Sequence, residues 1–420
     1  MNLFLTIQGS VIVVAVLVFL LVILLLVGIL LYAKKKLTPS GTVTIKINDG
    51  DQELEVAPDG TLLNALGNNK IFLPSACGGG GTCAMCKCQV TDGGGSILST
   101  ETGFFTRKEQ AEDWRLACQV RIRDNMDINI PQEILGIKKW ECTVVSNDNV
   151  ATYIKEFVVQ LPEGEILDFQ SGGYIQIDVP KITVDFKDFD IGEKYREDWD
   201  KFNMFDLQMV NPEPTYRAYS MANHPAEGNI IMLNIRIATP PFDRVNGGFQ
   251  KVNPGICSSF IFSLKEGDKV MISGPYGDFF IKDTDREMMF IGGGAGMAPM
   301  RSHIFHLFHT LKTGRKVTFW YGARSRKEIF YEDHFREIEK KFPNFKFVIG
   351  LSEPMPDDNW DGPVGFIHQV ILDEYLNNHE EPEDIEYYLC GPPMMNDAVN
   401  KMLYDMGVDE EMIAFDDFGS

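Results

Sequence analysis

The chain has 420 residues, 44% of them hydrophobic and 24% charged, which is the composition of a globular protein of about two to four domains. Its formal net charge is −21, and because residues 1–36 contain three lysines and no acid, the remainder carries −24. This acidity argues against binding to nucleic acid, whose phosphates attract basic patches, and suits docking to a basic protein partner.

The chain begins with a long apolar segment. Residues 11–32 read VIVVAVLVFLLVILLLVGILLY, 22 residues without a charge, and as a helix they would span roughly 33 Å against a hydrocarbon core of about 30 Å. A cleaved signal peptide would instead need a basic segment before a shorter apolar run, and no Lys or Arg precedes this one. Because three lysines follow at 34–36, we predict a single-span anchor over 1–36 with a periplasmic N-terminus and cytoplasmic soluble domains.

A small domain is predicted over residues 42–131. The alternating segments TVTIKIN and QELEVA around a DGD turn indicate a β-hairpin, and GTLLNAL indicates a helix with Thr61 as its N-cap. Four of the eight cysteines of the chain then fall within the twelve residues 77–88. A secreted disulfide scaffold would spread its cysteines over a short chain, so this cluster favours a metal site in a reducing compartment.

The spacing of these cysteines indicates an iron–sulfur cluster. Cys77, Cys83 and Cys86 form a C-x5-C-x2-C pattern, and Cys118 follows thirty-two positions later; the plant-type [2Fe–2S] pattern is C-x4-C-x2-C followed by a distant fourth cysteine. The four glycines at 78–81 permit positive φ values and let backbone N–H groups approach the cluster sulfurs. The segment resembles ferredoxins of the adrenodoxin-like type, which implies a β-grasp domain with these four cysteines as metal ligands.

Two other interpretations of the cysteine loop are weaker. A zinc site would prefer two CxxC pairs, and Cys118 has no companion cysteine. A thioredoxin-like CxxC would open a helix after a strand, whereas Cys83–Cys86 lies in a glycine-rich loop after a hairpin. Cys88 is expected to be a packed side chain and not a ligand, because it follows Cys86 by two residues at the start of a strand-like segment.

The predicted secondary structure of the remaining chain changes its pattern at residue 283. Six strand-like segments punctuated by Gly and Pro fill residues 132–282 and predict an antiparallel β-barrel, interrupted by a charged and aromatic insertion at 181–214 that we expect to lie over it. From residue 283 to 420, strands alternate with helices, which predicts a doubly wound parallel sheet. The predicted fold class is therefore multidomain, α+β and α/β, behind one transmembrane helix.

The strand segment RAYS, residues 217–220, resembles the R-x-Y-S motif of the ferredoxin–NADP reductase family. The resemblance implies that Arg217 pairs with a flavin pyrophosphate, Tyr219 packs on the isoalloxazine, and Ser220 hydrogen-bonds near its reactive nitrogen. A planar guanidinium suits a diphosphate, and an aromatic face covers a flat ring. The turn GICSS adds Gly255 and Ser258, which in the family stand at a helix N-terminus facing the pyrophosphate.

The third domain carries nicotinamide-binding signatures of the same family. The segment GGGAGMAPMR, after an apolar strand, contains the variant Gly294-x-Gly296-x-x-Pro299, where glycines admit nucleotide phosphates and proline suits the first helical turn. The family places the segment that begins at Cys390 and Gly391 beside the nicotinamide. Relatives also shield the flavin with an aromatic residue near the C-terminus, and Phe418 fits that position. The nearest alternatives are a core position for Cys390 and a frayed C-terminal tail.

Two points stay open on residue types alone. His303, His306 and His309 invite a metal interpretation, but on a regular helix they do not share one face, so we predict no metal there. The coenzyme is expected to be NADH because of the family resemblance. Arg324 and Arg326 follow the second strand of the nucleotide domain, where the 2′-phosphate of NADPH is an alternative ligand.

The order of the three modules implies a path for electrons. Nicotinamide gives up two electrons as a hydride and a [2Fe–2S] cluster takes one, so FAD must stand between them. The whole chain resembles the family of F subunits of bacterial Na⁺-translocating NADH:quinone reductases, which implies an inner-membrane complex with five other subunits and a quinone reached indirectly. The apolar anchor contains no acid, so sodium translocation is expected in other subunits.

Two alternative functions remain from the sequence. A membrane-tethered NAD(P)H reductase for an oxygenase would share the ferredoxin, flavin and nicotinamide order, and would co-purify with a monooxygenase. A scaffold whose modules no longer bind cofactors would show neither flavin nor cluster absorbance.

Overall fold

The computed structural model describes residues 2–37, 41–243, 245 and 247–416. By contacts within the chain, these residues form two compact units. The first contains the chain up to Leu73 together with Ala84–Leu135, and the second contains Pro74–Cys83 together with the chain from Gly136 onward. Each unit is described by itself below.

The apolar N-terminal segment is a helix, as the sequence predicts. Helix α1 runs over Asn2–Leu37. Within it, residues Val14–Tyr32 have a mean hydropathy of 3.6 and none of them is buried by the rest of the protein. An apolar helix segment that is not covered by the described part of the chain is suited by length and composition to a bilayer.

The first unit contains a five-stranded mixed sheet. Its strands are β1 Val43–Ile47, β2 Gln52–Val56, β3 Lys87–Asp92, β4 Trp114–Leu116 and β5 Met126–Asn129, and its helices are α2 Leu62–Asn68, α3 Arg107–Ala111 and α4 Gln132–Leu135. The strand order is β2-β1-β5-β3-β4, with β1 parallel to β5 and the other neighbours antiparallel. The predicted hairpin β1–β2 is confirmed, and so is the helix cap, since the Asn64 N–H donates to Thr61 Oγ1 at 3.2 Å.

Alternation of side chains builds the core of this sheet. Ile45 and Ile47 on β1 are fully buried, whereas Lys46 between them is exposed. Leu62 and Leu66, one helical turn apart on α2, are also fully buried. Burial of each such side chain stabilises the fold by about 1.5–3 kcal/mol.

A buried ion pair ties the loop before α3 to strand β4. The Glu101 side chain is completely buried and Arg115 is 5% exposed. Arg115 Nη2 donates to Glu101 Oε2 at 2.7 Å, and the Leu116 N–H donates to Glu101 Oε1 at 2.9 Å. Arg115 Nη1 also donates to the carbonyl of Gly94 at 2.9 Å. Both charges are therefore paired and hydrogen-bonded inside the unit.

We expect Glu101→Gln to destabilise this unit by about 3–5 kcal/mol, because it leaves the Arg115 guanidinium buried without a counter-charge. The measurement is hydrogen–deuterium exchange of peptides that contain Leu116, which should lose protection. Glu109→Gln is the matched control. Its partner Lys87 lies 3.4 Å away with both side chains about one-third exposed, so the expected effect is at most about 1 kcal/mol. Equal protection in the two variants would contradict a structural role for the buried pair.

The second unit contains a six-stranded antiparallel sheet. Its strands are β6 Lys138–Ala151, β7 Ile154–Gln160, β8 Tyr174–Val179, β11 Thr215–Ser220, β12 Ile230–Arg236 and β15 Lys269–Tyr276, in the order β11-β8-β15-β6-β7-β12. These are the six strand-like segments expected between residues 132 and 282. An isolated antiparallel bridge between Met221 and Leu233 joins the two ends of the sheet, directly after β11 and within β12.

The insertion at 181–214 is ordered and packs on this sheet. It consists of the hairpin β9 Ile182–Asp185 and β10 Gln208–Asn211 with helix α5 Glu193–Lys201 between them. Phe186 and Trp199 are fully buried in the same hydrophobic core as the sheet strands. The Trp199 Nε1–H donates to the Thr152 carbonyl at 2.8 Å. The charged insertion therefore contains aromatic side chains that form part of the hydrophobic core.

A short hairpin and a helix lie between β12 and β15 in the chain. The strands β13 Phe242–Asp243 and β14 Gly248–Phe249 form a small hairpin, and helix α6 covers Ile256–Ser263. Helix α6 shares the hydrophobic core of the six-stranded sheet, since Phe260, Ile261 and Phe262 are buried in it.

The C-terminal part is a five-stranded sheet in which all neighbours are parallel. Its strands are β16 Met288–Gly293, β17 Val317–Ala323, β18 Phe345–Leu351, β19 Glu386–Cys390 and β20 Ile413–Phe415, in the order β18-β17-β16-β19-β20, and its helices are α7 Met297–Phe305, α8 Glu332–Lys341, α9 Ile367–Glu374 and α10 Pro393–Asp405. Met288 and Phe290 enter one hydrophobic core, and Met289 and Ile291 enter another. Both faces of the central strand are therefore covered, as parallel sheets require.

Candidate functional site

The glycine-rich loop wraps closely around one cysteine. Gly78, Gly79 and Gly81 have φ of 64°, 87° and 77°, values that residues with a side chain rarely adopt. The sulfur atoms of Cys77 and Cys83 lie 3.4 Å apart. The pKa of Cys77 is lowered to about 3, by its hydrogen bond with Cys83 and by backbone N–H groups of the loop at Thr82, Cys83 and Gly81. A loop that stabilises a thiolate in this way suits a metal ligand.

The other two predicted ligands lie in the first unit. Cys86 and Cys118 are buried, and the N–H of Ala117 donates to the Cys86 carbonyl at 2.9 Å, which places the two cysteines on neighbouring backbone segments. Within the described ranges, no three Cys, His, Asp or Glu side chains are already gathered in a metal-binding arrangement. The chemistry of the donor set, four thiols with one already held as a thiolate, fits an iron–sulfur cluster.

Cys88 has the opposite environment. Its side chain is fully buried on β3, opposite Arg115 on β4. Burial raises the pKa of its thiol to about 12, so it stays protonated and is a poor metal ligand.

Strand β11 carries the three residues of the R-x-Y-S motif. Arg217 is half-buried, and its Nη1 donates to the Tyr216 carbonyl at 2.7 Å and to Thr215 Oγ1 at 3.1 Å. The Ser220 hydroxyl is buried and donates to Asp416 Oδ2 at 2.7 Å. Arg217 and Ser220 therefore lie on the strand that the motif predicts, three residues apart.

Tyr219 lies between them and meets helix α6. Its hydroxyl hydrogen-bonds with the thiol of Cys257, whose pKa is raised to about 12 by burial. Gly255 is the N-cap of α6, and the Ala238 N–H donates to Ser258 Oγ at 3.1 Å in the first turn. The sequence prediction of a helix N-terminus at this turn is confirmed. Such a terminus presents backbone N–H groups that suit a phosphate.

The nicotinamide-type loop joins β16 to α7. Gly294 has a φ of 55°, and Pro299 lies in the first turn of α7. A side chain on Gly296 would place its Cβ 2.0 Å from the carbonyl oxygen of Cys390 and 2.9 Å from the nitrogen of Gly391. The structure thus brings together two segments that the sequence separates by about ninety residues. Cys390 itself is fully buried at the end of β19.

We expect Gly296→Ala to raise the KM for the nicotinamide coenzyme at least tenfold, because the added methyl forces the loop away from Cys390. The measurement is a steady-state coenzyme titration with an artificial electron acceptor. Gly314→Ala is the control, since nothing lies within 4 Å of a Cβ at that position. An unchanged KM in Gly296→Ala would show that the close approach is not needed for coenzyme binding.

Phe418 and the three histidines of the 303–309 segment are the remaining residues that the sequence singles out. Phe418 lies outside the described residues. His306 and His309 belong to a π-helical turn, His306–Thr310, that follows α7, and His224 lies 6.5 Å and 6.0 Å from their respective ring centroids. His303 is fully buried, and burial lowers its pKa to about 3, so it is neutral near pH 7.

Sequence reasoning missed Asp416 and Cys257. Asp416 follows β20 and is 196 positions from its partner Ser220. Cys257 lies inside the GICSS turn but offers no pattern of its own. Acidic residues adjacent to the C-terminus are visible in FDDFGS, yet their pairing with a strand of another sheet has no signal along the chain.

Three family models match the chain in the order that the fold shows. A 2Fe-2S iron-sulfur cluster binding domain matches residues 45–123, an oxidoreductase FAD-binding domain matches 200–281, and an oxidoreductase NAD-binding domain matches 290–401. The first match contains all four predicted cluster cysteines. The three matches together define the class of this protein as an oxidoreductase with 2Fe-2S, FAD-binding and NAD-binding domains.

Curated relatives identify the family. Three of them, from Neisseria meningitidis, Marinomonas sp. and Haemophilus ducreyi, are named as F subunits of Na(+)-translocating NADH-quinone reductases, and they are 55%, 53% and 56% identical to this chain. The alignments cover 97%, 97% and 93% of this chain and 99%, 98% and 95% of the relatives. The chain belongs to the family of F subunits of Na⁺-translocating NADH-quinone reductases.

Solved structures share the fold. The cytochrome P450 reductase GcoB of Amycolatopsis matches with a TM-score of 0.59, and a ferredoxin reductase of carbazole 1,9a-dioxygenase matches with 0.58. Each is 24% identical, and each alignment covers 90% of this chain and 99% of the other. At this identity the likeness concerns the fold alone.

Proposed function

We propose that this chain is the electron-input subunit of a sodium-pumping NADH:quinone reductase. The supporting observation is identity of 53–56% over almost the whole length of F subunits, combined with [2Fe–2S], FAD and NAD domains behind one apolar helix. The oxygenase reductases that share the fold are 24% identical, which makes an oxygenase partner the weaker alternative.

We assign the flavin to strand β11 and helix α6. Arg217 would pair with the pyrophosphate, Tyr219 would pack on the isoalloxazine, and the N-terminus of α6 from Gly255 to Ser258 would face the phosphates. When bound, FAD accepts a hydride and releases electrons singly. Ser220 is held by the Asp416 carboxylate at 2.7 Å, so its hydroxyl has a fixed orientation. Phe418 would shield the flavin face.

We assign the nicotinamide coenzyme to the loop at the carboxyl end of β16. Gly294, Gly296 and Pro299 would accept its phosphates, and Cys390 with Gly391 would lie beside the nicotinamide. Arg324 Nη2 donates to Glu353 Oε2 at 2.8 Å. The backbone N–H of Arg326 donates to Asp358 Oδ2 at 3.0 Å, and its Nη1 donates to the Asp358 carbonyl at 3.3 Å. The Glu353 and Asp358 carboxylates beside these two arginines would repel a 2′-phosphate, which favours NADH over NADPH.

We assign the [2Fe–2S] cluster to Cys77, Cys83, Cys86 and Cys118. The lowered pKa of Cys77, caused by its hydrogen bond with Cys83 and by backbone N–H groups of the loop, supports this ligand set, and the protonated Cys88 stays outside it. The cluster would pass single electrons to other subunits, through which the quinone is reached. From the family resemblance we infer five other subunits. We also infer that nucleic acid is not a partner of this chain.

The finer organisation is likewise proposed. We divide the chain into an anchor over 1–36, a β-grasp ferredoxin domain over 42–131, a flavin domain over 132–282 with the insertion 181–214, and a nicotinamide domain over 283–420. The bridge between Met221 and Leu233 supports a closed barrel in the flavin domain. The covered faces of β16 support a doubly wound sheet in the nicotinamide domain. The lysines at 34–36 support a cytoplasmic location for all three domains and a periplasmic N-terminus.

The test is reduction of an artificial one-electron acceptor by the purified, cofactor-loaded chain with each coenzyme. We expect turnover with NADH and at least tenfold lower kcat/KM with NADPH. A strong preference for NADPH would overturn the coenzyme assignment. Affinity purification of the chain from bacterial membranes distinguishes the partners: a membrane quinone reductase supports the proposal, whereas a monooxygenase overturns it.

A further inference from the structure

We propose that Arg301 and Glu227 form a clamp that sets the distance between the flavin strand and the nicotinamide loop, and that they are positioning residues for hydride transfer. This inference rests on the proposed function. Arg301 lies on α7, two residues after Pro299 of the nicotinamide loop. Glu227 ends a turn at Pro225–Glu227, seven residues after Ser220 of the flavin strand.

The contacts of the clamp join these two segments directly. Arg301 Nη2 donates to Glu227 Oε1 at 2.7 Å, and Arg301 Nη1 donates to Glu227 Oε2 at 2.8 Å. Arg301 Nη1 also donates to the Ala222 carbonyl at 2.8 Å, and the neighbouring Ser302 hydroxyl donates to the Asn223 carbonyl at 2.8 Å. Helix α7 is therefore held at three points of the chain that follows β11.

The surroundings make the ion pair rigid. The Arg301 side chain is 4% exposed and that of Glu227 is 23% exposed. The guanidinium lies 4.1 Å from the ring centroid of Phe305 and 5.3 Å from that of Tyr331. The N–H of His224 donates to Glu227 Oε2 at 2.8 Å, which fixes the carboxylate from the other side. A bidentate pair with both members held has one geometry, whereas a flexible surface pair has many.

Hydride transfer makes this geometry matter for rate. The reacting atoms must be about 3–3.5 Å apart, and a misplacement of about 1 Å can cost roughly 10²-fold in rate. Neither Arg301 nor Glu227 belongs to the residues proposed to touch a cofactor. Each of the two segments that they join carries one proposed cofactor site within a few residues of the clamp. Arg301 and Glu227 therefore act by positioning these segments.

The test uses the doubly neutral variant Arg301→Met/Glu227→Gln, which leaves no buried charge unpaired and so avoids the cost of a lone ion. The full, cofactor-loaded chain is mixed rapidly with NADH, and flavin bleaching is measured per bound flavin. We expect the limiting rate to fall by roughly 10–100-fold, while the NADH concentration that gives half of that rate changes less than threefold. Arg301→Lys, which keeps the charge but loses the bidentate geometry, should give an intermediate rate.

Arg315→Met/Glu386→Gln is the matched control. Arg315 Nη2 donates to Glu386 Oε2 at 2.6 Å, and these side chains are 11% and 1% exposed. This pair joins the loop before β17 to the first residue of β19 and does not involve β11 or its following turn. It should lower thermal stability without changing the rate per bound flavin. Equal rates in wild type and in the Arg301 double variant would overturn the clamp alone, as would equal losses in both double variants. A flavin-loaded wild type that NADH does not bleach would overturn both the clamp and the proposed function.

Discussion

Cys118→Ala abolishes the iron–sulfur cluster while NADH still bleaches the flavin: this is the result we expect from the proposed ligand set. Three thiolates cannot complete the four-sulfur coordination that a [2Fe–2S] cluster requires. The flavin and nicotinamide domains lie in other parts of the chain, matched at 200–281 and 290–401, so hydride transfer has no need of Cys118. The measurements are iron content, visible absorbance and low-temperature electron spin resonance after dithionite treatment.

Cys88→Ala is the matched control, because this cysteine lies two positions from Cys86 and is fully buried. Its thiol has a pKa of about 12 as a result of burial, so it contributes packing and not coordination. We expect the iron content and the spin resonance signal of Cys88→Ala to match those of the wild type. Retained cluster absorbance in Cys118→Ala, or its loss in Cys88→Ala, would show that the fourth ligand is misassigned.

Ser220→Ala should slow flavin reduction by about 10²-fold, the lower part of the range for removal of a preorganised hydrogen-bonding group at a reacting centre. The Ser220 hydroxyl is buried and donates its hydrogen to Asp416 at 2.7 Å, so alanine removes an oxygen whose acceptor lone pairs have a fixed orientation. The measurement is the limiting rate of flavin bleaching by NADH, expressed per bound flavin. Asp416→Asn keeps an acceptor for the serine and should therefore have a smaller effect, about tenfold.

Ser263→Ala controls for the loss of a hydroxyl in the same unit. Ser263 Oγ donates to the Phe260 carbonyl at 2.6 Å at the end of α6, away from β11. We expect its rate of flavin reduction to equal that of the wild type. If Ser220→Ala reduced flavin as fast as Ser263→Ala, the Ser220–Asp416 hydrogen bond would have no part in the reaction.

The features that the sequence predicts correctly are those written in short stretches of chain. The N-terminal helix depends on one apolar run, the hairpin β1–β2 on alternation, and the cap at Thr61 on a single residue type. The six strands of the flavin sheet and the parallel strands of the last sheet follow from the period of their apolar residues. The insertion 181–214 packs on the six-stranded sheet, but its sequence does not reveal that Phe186 and Trp199 belong to the hydrophobic core.

Local spacing determined the class of this protein: four cysteines around a glycine-rich loop, an R-x-Y-S strand and a glycine-proline turn are chemical signatures written mostly in short stretches of chain. Only the tertiary structure decided which acidic side chain pairs with each buried polar side chain, namely Glu101 with Arg115, Asp416 with Ser220 and Glu227 with Arg301. The physical reason is that a buried polar group needs a partner of matching geometry but not of any particular separation along the chain. Many acidic residues could satisfy each site equally well until the folded chain brings one of them within hydrogen-bonding distance.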